Sequence, residues 1–135
     1  METKLVSESV PFSNRQSFRF DIFKGEIGSD GKVRRVRSVG AAHILQGCKT
    51  YTVHLKTFLE DVFYLLPEEK KITSADFLIY TREDSRLSGR KYFWNLVGEG
   101  KILDGVNAGF MKLSFDVLGS DSIYMNLHPR ETTNA

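Results

Sequence analysis

The sequence predicts a mainly-β domain: an antiparallel meander of about seven strands, closed as a small OB-like barrel or folded as a sandwich, with at most one short helix. Three observations carry this. The dominant apolar period is two, the signature of half-buried strands. Clusters of Gly, Asp, Asn and Ser interrupt the apolar runs about every eight to sixteen residues, as short turns between sequential strands require. No window sustains a long helical stripe.

The first strand is SFRFDIFKGEI, Ser17 to Ile27, where Phe18, Phe20 and Ile22 alternate with Arg19 and Asp21. GSDG, Gly28 to Gly31, supplies a turn, and KVRRVRSV returns as the second arm of a hairpin. Val33, Val36 and Val39 fall three apart, which breaks strict alternation and predicts a bulge near Arg34 and Arg35. GAAHILQG reads as a connection. KTYTVHLKTF, Lys49 to Phe58, alternates Tyr51, Val53 and Leu55 with Thr52, His54 and Lys56, and predicts one strand.

LEDVFYLLPEEKK carries two patterns. Leu59, Val62, Phe63 and Leu66 fit a helical stripe; Val62, Tyr64 and Leu66 fit a strand; Pro67 ends either. ADFLIYTRE is the next strand, and EDSRLSG, Glu83 to Gly89, an exposed loop. RKYFWNLVGEGKIL follows, with GEG as a site for a bend. Alternation puts Tyr92, Trp94 and Leu96 on one face, expected inward, and Phe93, Asn95 and Val97 on the other. FMKLSFDVL and IYMNLHP close the series around the GSDS turn. The domain organisation is a flexible arm over residues 1–16, a single β domain over 17–128 and a short tail over 129–135.

With 135 residues, 41% apolar and 27% charged, the chain can bury a core without staples and is not a disordered polymer. Its one cysteine, Cys48, excludes an intramolecular disulfide and fits a reducing compartment. The N-terminal stretch METKLVSESVPFSNRQ lacks the apolar run of a secretory signal, and no window approaches a membrane span. A cytoplasmic protein with no membrane partner is expected. The net charge of +2 is uneven: residues 1–58 hold ten Lys/Arg against five Asp/Glu, and residues 59–135 hold nine against twelve. The basic half suits an anionic partner.

No catalytic pattern emerges. His43, His54 and His128 have no ligand spacing to one another or to Cys48, and the GEGK at Gly98 lacks the upstream glycine and the Ser/Thr of a phosphate loop. No enzyme activity, metal or cofactor is expected. Binding features are clearer. Lys32, Arg34, Arg35 and Arg37 lie on the returning strand; Arg19 and Lys24 interleave with phenylalanines; Arg90 and Lys91 precede Phe93. Cations neutralise phosphate while aromatic faces stack on unpaired bases. These nine residues define a candidate nucleic-acid-binding face, single strands preferred. The alternative is a protein-interaction or assembly subunit that uses its β-edges and binds no nucleic acid. An unclosed sheet would also hide its edges by pairing with copies of itself, which predicts a homo-oligomer.

Overall fold

Eight strands, β1 (Ser17–Ile27), β2 (Val33–Leu45), β3 (Tyr51–Leu55), β4 (Phe58–Pro67), β5 (Phe77–Asp84), β6 (Tyr92–Ile102), β7 (Phe110–Phe115) and β8 (Ile123–Asn126), form a closed antiparallel barrel in chain order. This computed structural model describes residues 16–71, 74–84, 92–116 and 122–130, the side chains of Leu59 and Asp84 excepted. Nearly all of the expected N-terminal arm, the chain after Arg130, residues 85–91 with Arg90, Lys91 and most of the expected Glu83–Gly89 loop, and most of the GSDS turn lie outside the described residues. No helix among the described residues is long and apolar enough to cross a membrane.

The barrel form of the expected fold is the one observed, with one strand more than the sequence pattern predicts. The additional strand is β4, which takes in Phe58 and the LEDVFYLLP segment and is set off from β3 by a turn at Lys56 and Thr57. The doubtful LEDVFYLLP segment is therefore strand. Its alternation of Phe63 and Leu65 inward with Tyr64 outward prevails over the helical stripe, because neighbouring strands offer partners on both sides. GAAHILQG is not a connection either: β2 runs unbroken to Leu45 and pairs with β1 as far as Ser17. The expected bulge exists at Val36, next to Arg35, and a second follows at Val39. Val36 and Val39 are each passed over in the pairing with β1, which explains the valine spacing of three.

Eight tilted strands leave an interior that side chains can fill. Here Ile22, Ala42, Val53, Leu65, Ile79, Met111, Leu113 and Met125 are fully buried, joined by Phe20, Phe63 and Phe115. Each comes from the inward parity of its strand; the outward parity faces the surroundings except where Asp21, Phe23 and Tyr124 are buried on the outer side of β1 and β8. β1 and β8 close the ring through Ile22, Phe23 and Lys24 against Met125, Tyr124 and Ile123, extended by a bridge between Arg19 and Arg130. This closure removes the continuous open edges from which self-pairing was expected.

The β1–β2 hairpin is held at its tip by a side chain from the connection between β6 and β7. Asn107, in the 3-10 turn Gly105–Asn107, accepts a hydrogen bond from the Val33 N–H at 2.8 Å and donates to the Gly31 carbonyl at 3.0 Å. Farther down the hairpin, Arg35 Nε donates to the carboxylate of Asp21 at 2.8 Å, while the other oxygen of Asp21 is buried with no hydrogen-bond partner.

Candidate nucleic-acid interface

The outward parity of successive strands creates one row of side chains around the barrel wall. Strand pairing places Arg19 beside His43, His43 beside Thr52, Thr52 beside Tyr64, Tyr64 beside Tyr80, and Tyr80 beside Leu96. Arg130, bridged to Arg19, extends the row past β1. At about 4.8 Å per strand the row covers roughly 24 Å from β1 to β6. One end is cationic and the other aromatic.

At the aromatic end the expected facing of β6 is reversed. Tyr92, Trp94 and Leu96 point outward and are 40%, 49% and 57% exposed. Phe93 is half-buried and Val97 packs against the core. The cause is pairing with β5, which sets Trp94 opposite Arg82 and Leu96 opposite Tyr80, both outward positions, with a register shift beyond Ile79. Trp94 meets Tyr64 and Tyr80 edge-on, at ring separations of 5.4 and 6.2 Å. The Arg82 guanidinium lies 4.3 Å from the Tyr92 ring centre, 4.8 Å from Tyr64 and 5.8 Å from Trp94. A cation so placed holds the rings upright and adds a flat, charged surface of its own.

At the cationic end a groove of 460 Å³ is lined by Arg19, Ser38, Gly40, Ala41, His43, His54, Leu55, Lys56 and Arg130, with no carboxylate among them. The rings of His43 and His54 are 6.2 Å apart. A second groove, also 460 Å³, is lined in part by His43, Cys48, Lys49, Thr52 and Tyr64 and follows the middle of the row from β2 to β4.

The candidate residues named from sequence divide accordingly. Arg19 stands in the row. Lys24 and Arg37 are exposed and sit opposite each other across β1 and β2. Lys32 is exposed near the hairpin turn; Arg34 is ion-paired with Asp30 at 3.2 Å, and Arg35 with Asp21. Arg35 thus compensates a buried carboxylate, so removing it weakens the fold as well as the surface charge. Phe93 faces away from the exposed rings of its own strand. Arg90 and Lys91 lie outside the described residues.

His43, Tyr64, Tyr80, Arg82 and Arg130 escaped the sequence reading. His43 fell in a segment read as connection, Tyr64 in the helix–strand ambiguity and Arg130 in the tail. The available signal was parity: carrying the β2 alternation through to Leu45 puts His43 opposite Arg19. Among the described residues no three His, Cys, Asp or Glu side chains gather as a metal ion would need.

Burial, then the Arg19 guanidinium, then the His54 ring hold the His43 pKa below its ordinary 6.5. With the folded value below the unfolded one, the unfolded chain takes up the extra proton. Stability is therefore expected to fall as pH drops below 6.5, levelling off below the folded value. Urea melts across about pH 5 to 7.5 should show this slope, and His43→Gln should flatten it. A slope unchanged in the variant would assign the effect to other groups.

No protein-family model, no curated protein and no solved structure matches this chain.

Proposed function

We propose that this chain is a non-catalytic module that binds single-stranded nucleic acid across the outside of its barrel. The observation that carries the reading is the in-register row from Arg130 and Arg19 through His43, Thr52 and Tyr64 to Tyr80 and Leu96, with Trp94 and Arg82 beside its aromatic end. Cations at one end neutralise phosphates, and half-exposed rings at the other accept unpaired bases without regard to sequence. A duplex keeps its bases stacked on one another and gains only the cationic part.

The competing reading, an interaction subunit working through β-edges, has less to stand on. The pairing of β1 with β8 closes the ring and, among the described residues, confines unpaired edge mainly to hairpin ends, the β1–β2 end before Gly40 and the β5–β6 end beyond Tyr80.

Fluorescence anisotropy with labelled mixed-sequence oligonucleotides over a salt series tests the proposal. Single strands should bind more tightly than duplexes. Trp94→Ala should weaken single-strand binding by about 1–3 kcal/mol, the range of one base–aromatic stack, with the melting temperature almost unchanged. Arg19→Ala combined with Lys56→Ala should lower the log–log salt slope by about 1.4, at roughly 0.7 per phosphate. If the unmodified protein binds neither strand type at low salt, the proposal is wrong.

A further inference from the structure

We propose that the groove between β1, β2 and β3 is a pocket for a phosphate monoester, the terminal phosphate of a strand laid along the row. This rests on the nucleic-acid reading and goes beyond it, since the backbone of a strand consists of diesters.

The first argument is charge. Arg19 from β1, His43 from β2, His54 from β3, Lys56 just after β3, and Arg130 beyond β8 line one groove with no carboxylate among them. A diester carries one negative charge, whereas a monoester carries about 1.5 to 2 at neutral pH and three acceptor oxygens. Donors converging from four segments of chain suit the group with more charge and more acceptors.

The second argument is position. The bridge in which the Arg130 N–H donates to the Arg19 carbonyl at 2.7 Å fixes where the C-terminal segment crosses β1. Immediately past that crossing the next outward side chains of β1 do not suit a polyanion, and the exposed pair Lys24 and Arg37 lies farther along the hairpin. Two residues along β1 stands the buried carboxylate of Asp21, and beyond it Phe23 and Tyr124 are buried and stacked at 5.9 Å. A strand that starts on Trp94 and follows the row therefore ends at this groove.

The third argument is the floor. Gly40 brings β2 so close to β3 that a Cβ there would meet the backbone oxygen of His54. The backbone at Gly40 and Ala41, with Leu55, lines the groove between the cationic side chains.

His43 makes the pocket responsive to pH. The groups around His43 are Arg19, His54 and Arg130 in this groove, with Lys56 at its edge, and Cys48, Lys49 and Tyr64 on the adjoining side. Its lowered pKa leaves His43 neutral in the empty pocket at pH 7. A bound dianion favours the protonated ring, so binding takes up a proton and tightens as pH falls. The gain ends near pH 6, where the phosphate itself gains a proton.

The test compares three internally labelled oligonucleotides of one sequence, carrying a 5′-phosphate, a 3′-phosphate or hydroxyls at both ends. Anisotropy at about pH 6.5 should give one phosphorylated strand an advantage of about tenfold over the hydroxyl strand. Arg130→Ala should reduce that advantage to near one, and should weaken the hydroxyl strand by no more than the loss of a single cation from the row. The doubly substituted His43→Gln, His54→Gln protein should retain a residual advantage that no longer grows as pH falls from 8. Equal binding of all three strands overturns the pocket and leaves the nucleic-acid reading intact. If no strand binds, the nucleic-acid reading fails, and inorganic phosphate then decides the pocket alone. Shifts of the His43 and His54 ring resonances on adding phosphate would support a pocket for small phosphate monoesters, and unmoved resonances would overturn it.

Discussion

Replacing Phe63 by alanine is expected to destabilise the barrel by about 3–5 kcal/mol, the usual cost of removing a buried aromatic ring. At 135 residues this corresponds to a fall in melting temperature on the order of 10–20 °C. The ring is 3% exposed and meets Phe115 edge-on at 5.1 Å and Phe58 at 6.4 Å. Its loss empties the space between β4 and β7, on facing walls, and neither wall can move inward without breaking its strand pairs. The control is one residue type away in size and opposite in facing: Trp94→Ala removes a larger ring from the outer surface and should barely shift the melt. Thermal unfolding of both proteins checks the assignment. Comparable losses in the two variants would mean that Trp94 belongs to the packed interior.

A second large effect is expected at Gly40, where valine should cost at least the 1–3 kcal/mol typical of overpacking. The glycine pairs with Ile22 on one side and Leu55 on the other. An added Cβ would fall on the backbone oxygen of His54 and against the Leu55 side chain. A backbone atom held in a strand ladder cannot swing aside as a flexible side chain can, so β2 and β3 must separate. Separation also widens the cationic groove. Gly40→Val should therefore show two symptoms together: a lower midpoint in urea and weaker oligonucleotide binding by the fraction that remains folded. Gly31→Ala is the comparison for backbone strain alone, because that turn residue has φ of 80° and open space around it. A Gly40→Val protein with native stability would contradict the close approach of the two strands.

Strands with clean alternation were legible from residue types. Ser17–Ile27 matches β1 end to end because Phe18, Phe20 and Ile22 leave one register that buries them. The turn between β3 and β4 was not legible. Lys56 and Thr57 carry none of the Gly, Asn or Asp chemistry that marks a two-residue hairpin, so the boundary between β3 and the ambiguous LEDVFYLLP segment had no local signal. The facing of β6 was misread for a related reason. Tyr92, Trp94 and Leu96 are apolar enough to pass for core, and only the pairing with β5, which no local pattern encodes, puts them outside. The site suffered most from this non-local information. Arg19 could be named from its strand, but its neighbours His43 and Arg130 become neighbours only when β2 extends to Leu45 and the chain beyond β8 crosses β1.

The seam between β1 and β8 also has a kinetic meaning. Each of the seven other pairings joins strands adjacent in sequence, whereas the seam joins Ile22 to Met125 across most of the chain. Closing so long a loop from an unstructured chain carries a large entropic cost, and contacts of such high sequence separation slow folding. The hairpins shorten the effective loop by forming first, so the seam is the last ladder to assemble. It is also the shortest, with three residue pairs and one bridge. On this account the ring opens at the strip of wall where Arg19 and Arg130 meet. A ligand gripping both arginines would act as a clasp across the joint, slowing unfolding more than it speeds folding.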